Sequence, residues 1–126
     1  MNSPRRPTVL VVDDELKIRK MLVEVLTLEG FPTETATNGR EALEILAQSE
    51  PRIVLLDLLM PEVDGRGVVE QLEATPEIRS KHRIILVSAL TNLEKNRDLK
   101  VEGQLPKPFG VDQLLNKLEA VTPGSK

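Results

Sequence analysis

Arg52-Ile53-Val54-Leu55-Leu56-Asp57 is a run of four apolar residues, two of them β-branched, closed abruptly by a carboxylate. Apolar side chains that do not alternate with polar ones imply a strand buried on both faces, which belongs in a parallel sheet layered between helices. Thr8-Val9-Leu10-Val11-Val12 before Asp13 and Arg83-Ile84-Ile85-Leu86-Val87 before Ser88 have the same build. A weaker strand at Thr33-Glu34-Thr35-Ala36, after Gly30 and Pro32, and a very short one near Gln104-Leu105 bring the predicted strands to five.

Helical periods separate them. Ile18, Met21, Leu22, Val25 and Leu26 fall on one stripe, ended by Gly30. Asn38 caps a second helix with Ala42, Leu43, Leu46 and Ala47 inward, stopped before Pro51. A third runs from Arg66 toward Ala74 on Val68, Val69 and Leu72, and a fifth starts at Val111 with Leu114, Leu115 and Leu118. The fourth, within Thr91 to Val101 and capped by Thr91, has the poorest stripe. Strands alternating with helices imply right-handed crossovers and an α/β, flavodoxin-like, three-layer sandwich with five helices and a parallel sheet of order 2-1-3-4-5. In that order a crevice opens at the carboxyl ends of strands 1 and 3, where a ligand is expected.

The 126 residues fit one domain: residues 1–7 read as an amino-terminal tail, 8–121 as the domain, and 122–126, with Pro123-Gly124-Ser125, as a tail or the start of a linker with no output domain after it. Hydrophobic residues at 40% and charged residues at 29% suffice for a core under a solvated surface. Phe31 and Phe109 are the only aromatics, so the core is aliphatic and no base-stacking platform exists. A net charge of −3 without a basic stripe argues against nucleic acid or an anionic membrane as direct partner. The absence of Cys excludes disulfides and thiolate metal sites and agrees with a cytoplasmic setting. No signal peptide or spanning segment is expected.

The residues at the carboxyl edge carry the chemistry. Strand 1 ends in Asp13-Asp14-Glu15, strand 3 in Asp57, strand 4 in Ser88-Ala89, and strand 5 runs into Pro106-Lys107-Pro108. One Asp after a strand is ordinarily a cap or a turn residue, and Asp14 could cap the first helix. Three carboxylates brought to one crevice repel, which raises a pKa or calls for a cation. Oxygen ligands without His or Cys select a hard ion, Mg2+ first, with Mn2+ or Ca2+ possible. Asp13 and Asp14 would repel the phosphate of a flavin nucleotide, and no GxxxxGK[ST] loop is present. Beside such a metal, Asp57 is the candidate nucleophile toward a phosphoryl group, with Lys107 and Ser88 facing the phosphoryl oxygens and small Ala89 leaving the approach open.

Val-Val-Asp13-Asp14-Glu15, Leu-Leu-Asp57-Leu-Leu-Met60-Pro61-Glu62-Val-Asp64-Gly65, Val87-Ser88-Ala89 and Leu105-Pro106-Lys107-Pro108-Phe109 together closely resemble the receiver (REC, CheY-like) domain of two-component response regulators. The resemblance covers Thr8 to Val121. It implies that Asp57 takes a phosphoryl group from a phosphohistidine of a sensor histidine kinase or phosphotransfer protein. It also implies that Asp13, Asp14, Asp57 and the Leu59 carbonyl ligate Mg2+, that Ser88 is the switch hydroxyl, and that Lys107-Pro108 is cis. Such a domain catalyses only its own phosphorylation and dephosphorylation, and signals through a changed surface to a downstream protein, as a monomer or a phosphorylation-dependent dimer.

Two departures accompany the resemblance. Gln104 stands where the family usually has an aromatic switch residue, and the nineteen positions from Ser88 to Lys107 fall about one helical turn short, so the helix 4 region is shortened. Leu59 and Leu90, two residues after Asp57 and Ser88, are apolar where many relatives are polar, which predicts a long-lived phosphorylated state. His82, between Lys81 and Arg83, reads as a surface loop residue; Lys17, Arg19 and Lys20 read as a solvated face, and Ile18 as core or, by resemblance, as part of a kinase-docking patch. The alternatives are a pseudo-receiver that binds without phosphorylation, and a phosphatase of the aspartyl-phosphate class, which normally needs a second acid where Leu59 sits.

Overall fold

The computed structural model describes residues 6–48 and 50–122, so most of the two expected tails, residues 1–5 and 123–126, lies outside the described residues. Along the chain run β1 (Thr8–Val12), α1 (Leu16–Leu28), β2 (Thr33–Ala36), α2 (Gly39–Leu46), β3 (Arg52–Asp57), α3 (Gly65–Glu73), α4 (Pro76–Arg79), β4 (Arg83–Ala89), α5 (Leu90–Lys95), β5 (Gly103–Lys107) and α6 (Val111–Val121). All four strand pairings are parallel and the order is β2-β1-β3-β4-β5.

The continuous apolar runs serve two cores at once. Leu10, Val12, Val54, Leu56, Ile84 and Leu86 pack on α2 and α3, while Val9, Val11, Ile53, Leu55, Ile85 and Val87 pack on α1 and α6. Burying a side chain such as Leu56 completely is worth roughly 1.5–3 kcal/mol, so the three central strands anchor both layers. Asn38 accepts from Glu41 N at 2.9 Å to cap α2, a contact worth about 1 kcal/mol. Gly30, at φ 88°, closes α1: its N–H reaches the Thr27 carbonyl and that of Phe31 reaches the Leu26 carbonyl, with Phe31 packed into the same core as Leu26. Pro106 lies in β5, an edge strand, where a missing N–H is tolerated.

Four expectations are corrected. The described residues form six helices rather than five: the four-residue α4 is too short to show a stripe, and Pro76 opens it at a position that favours proline. The expected fourth helix is α5, six residues long and started by Ala89 and Leu90, so Thr91 lies inside it rather than capping it. Asp14 does not cap α1, which starts after Glu15 without a side-chain cap. His82 is buried, not a surface residue, because its ring fills the amino end of the sheet and bonds on both sides. Its Nδ1 accepts from Arg52 N at 3.2 Å, and its Nε2 lies 2.9 Å from the Leu46 carbonyl, a pattern that fits the neutral ring protonated at Nε2. No described helix is long and apolar enough to cross a membrane.

Candidate functional site

Register brings the chemistry together. Val12 pairs with Leu56 and Asp57 with Val87, while Ser88 and Ala89 pair with Pro106 and Lys107, so Asp13, Asp57, Ser88 and Lys107 emerge at one edge. Gly65 holds the β3–α3 loop against the strand: its N–H donates to the Leu58 carbonyl, and a Cβ there would overlap the Asp57 carbonyl oxygen.

Lys107 Nζ lies 3.3 Å from both Asp13 Oδ2 and Asp57 Oδ2. The remaining oxygens accept from backbone, Asp57 Oδ1 from Leu59 N at 3.1 Å and Asp13 Oδ1 from Glu15 N at 2.9 Å. Asp13, Asp57 and Ser88 are buried and Asp14 is exposed, yet carboxylate oxygens of Asp13, Asp14 and Asp57 all lie within 4.8 Å of one another. Above them opens a crevice of about 430 Å³ whose walls include Asp14, Asp57, Leu59, Ser88, Asn92 and Lys107.

The electrostatics follow. Burial pushes the Asp57 carboxyl above the ordinary carboxylate range and the Asp13 charge adds to it, against the opposing pull of the Leu59 N–H and of Lys107. Burial alone would lower the Lys107 ammonium, but Asp57 and then Asp13 outweigh it and hold the group above its ordinary value. One ammonium faces three carboxylates, so the cluster lacks positive charge. Its donors are all hard oxygens close enough to share one ion, which suits a divalent cation of the Mg2+ type.

Leu59 turns its side chain outward and contributes backbone to Asp57. Lys107-Pro108 is cis. Gln104 is half-buried in β5 opposite Leu86, away from the carboxylate edge. Ile18 is half-buried against the core of α1 and α6, and with Met21, Lys107, Pro108 and Phe109 it lines a groove of about 410 Å³ next to the crevice. Lys17 and Lys20 are exposed, and Arg19 is half-buried, its Nη1 donating to the Asp13 carbonyl at 2.7 Å. Sequence reasoning passed over Asn92, whose Nδ2 lies 3.4 Å from Ser88 Oγ. The signal was its place just after Ser88, in the first turn of the helix that follows β4.

The family model for the response regulator receiver domain matches residues 9–119. Response regulator MprA of Mycolicibacterium vanbaalenii is 34% identical over 113 residues, 90% of this chain and 49% of that protein. The chain thus spans about half the length of several curated relatives it matches. Sporulation initiation phosphotransferase F of Bacillus subtilis is 33% identical over 91% of this chain and 93% of its own. Among solved structures, chemotaxis response regulator CheY4 of Vibrio cholerae superposes with a TM-score of 0.81 at 30% identity, covering 90% of this chain and 97% of that one.

Proposed function

This chain belongs to the response regulator receiver domain family of two-component signalling, and from that premise we propose that Asp57 is its phosphoacceptor. The observation that carries the reading is the buried Asp57 carboxylate, held by Lys107 and the Leu59 N–H and crowded by Asp13 and Asp14 at the mouth of an open crevice. A carboxylate oxygen of Asp57 attacks the phosphorus of a donor phosphohistidine: the new O–P bond forms as the P–N bond breaks, and the imidazole leaves with its electron pair. Lys107 pairs with the phosphoryl oxygens, and the Ser88 hydroxyl donates to another of them once it turns into the crevice. Asp13, Asp14, Asp57 and the Leu59 carbonyl would hold Mg2+, which when bound offsets the charge that accumulates between carboxylate and phosphoryl group.

The groove of Ile18, Met21, Pro108 and Phe109 shares Lys107 with the crevice, which supports it as the face that receives the kinase or phosphotransfer partner. The receiver is assigned to residues 8–121, supported by β1 beginning at Thr8 and α6 ending at Val121. Incubation with acetyl phosphate and Mg2+, followed by intact-mass analysis, tests the reading. Asp57 should be labelled in the wild type only when Mg2+ is present, and Asp57→Ala should take up no phosphoryl group. A folded wild type that stays unlabelled would make the chain a pseudo-receiver, and steady turnover of a phosphomonoester would make it a phosphatase.

A further inference from the structure

Ser88 has a partner outside the acidic cluster. Asn92, in the first turn of α5, lines the crevice and directs its amide nitrogen toward Ser88 Oγ at 3.4 Å. That nitrogen only donates, so the Ser88 oxygen accepts and its single O–H is left for the crevice. The contacts continue outward because α5 is short. The helix ends at Lys95 and the Asn96 N–H turns back to the Leu93 carbonyl, so the Asn92 carbonyl lacks its helical partner four residues on. The Asn96 side chain supplies it, donating from Nδ2 at 2.8 Å.

Asn96 Oδ1 in turn accepts from Arg66 Nη1 on α3 at 3.0 Å. The guanidinium also grips Asp98 with both Nη atoms, and its Nε reaches Glu70 at 3.0 Å. Charge-assisted and two-pronged contacts of this kind are the strong ones; the Ser88–Asn92 contact is the longest in the series and the first to exchange. Gln104, on the opposite side in β5, has no aromatic ring to swing.

We propose that the series Ser88–Asn92–Asn96–Arg66–Asp98 couples the crevice to the surface between α3 and the segment after α5, with Asn92 as a positioning residue for the Ser88 hydroxyl and the Arg66–Asp98 fork as the outer anchor. The proposal rests on the reading of Ser88 as donor to the phosphoryl group. When that hydroxyl turns to a phosphoryl oxygen, Asn92 loses its partner, the first turn of α5 relaxes, and residues Asn96 to Leu99 change their hold on Arg66. The bistable element is the short helix with the segment that follows it.

The test uses 15N-labelled protein with Mg2+ and beryllofluoride as phosphoryl mimic, and acetyl phosphate in a parallel sample whose labelled fraction is read by intact mass. In the wild type, the mimic should shift the Asn96–Leu99 amides; in Asn92→Ala, scaled to the bound fraction, the same shifts should fall to less than about half. Asp98→Asn, isosteric and distant from the crevice, should move the Ser88 and Asn92 amides in the unliganded protein and change the affinity for beryllofluoride about two- to tenfold. Asp98→Glu should restore the wild-type values in part, which a general loss of packing would not permit. Equal shifts in Asn92→Ala and wild type, or wild-type affinity in Asp98→Asn, overturn the coupling while leaving the phosphoacceptor intact. Failure of the wild type to be labelled or to bind the mimic overturns the phosphoacceptor reading and the coupling with it.

Discussion

The two ends of the sheet both bury polar groups, and they do so to opposite effect. At the amino end, His82 bonds through both ring nitrogens, and Arg52 is satisfied by Glu34, Gln48 and the Glu50 carbonyl. Nearby, Glu102 accepts from the Ile84 N–H and from Arg79. The buried side-chain groups described there all close on protein partners. At the carboxyl end three carboxylates share one ammonium, and burial works against the ionised form of Asp57. A closed polar network contributes stability; an open one with a charge deficit holds binding and reactivity instead.

The contrast is broken most directly by one substitution at each end. His82→Ala should lower stability by about 2–3 kcal/mol in urea unfolding, since it leaves the buried Arg52 N–H and Leu46 carbonyl without partners, and it should leave labelling by acetyl phosphate intact. Asp57→Asn should do the reverse, abolishing labelling while the unfolding midpoint stays level or rises; a loss as large as that of His82→Ala would show that the crevice is structural after all. Next in size is Leu59→Asn. Apolar shielding of a phosphoryl group by the exposed leucine beside Asp57 predicts that the polar variant shortens the phosphorylated lifetime in a phosphate-release assay, and an unchanged lifetime argues against the shield.

A pH comparison sharpens the same division. Burial pushes the His82 imidazole below its ordinary value, and the nearby Arg52 charge adds to the effect while the Leu46 carbonyl opposes it. The unfolded chain then binds the proton more readily, so the His82 contribution is complete above the unfolded histidine pKa and is lost as pH falls toward the depressed folded value. Wild type should therefore lose more unfolding free energy than His82→Gln between pH 7.5 and about 5.5; parallel losses would remove His82 as the cause. The smallest effect is expected at Glu62, the one described non-glycine residue at positive φ, at 65°, in the loop after β3. Glu62→Gly should raise stability by about 0.5 kcal/mol, measured by thermal melting, and any decrease would mean that the Arg40–Glu62 ion pair at 3.7 Å outweighs the backbone strain.

The sheet was legible because its three central strands are apolar throughout between their first residues, Thr8, Arg52 and Arg83, and the polar Asp13, Asp57 and Ser88, which mark where the crevice begins. Their adjacency needed only the strand order. What stayed hidden depended on contacts far apart in sequence. His82 sits between Lys81 and Arg83, which signal solvent, and its burial comes from Leu46 and Arg52, thirty or more residues away. The four residues of α4 hold no period to read, and the Asn92–Asn96–Arg66 contacts exist only because α5 stops early and α3 packs alongside.

Pro106 leaves the two lateral margins of the sheet unequal. On the β5 side a foreign strand would meet an interrupted ladder, since one residue in five offers no N–H. On the β2 side Thr33-Glu34-Thr35-Ala36 carries no proline, and the charge of Glu34 is engaged by Arg52. A foreign strand should therefore pair at β2 rather than β5, and a molecule with one open margin can pair only once through it, so the proline limits edge-to-edge association to a pair on the margin opposite Lys107.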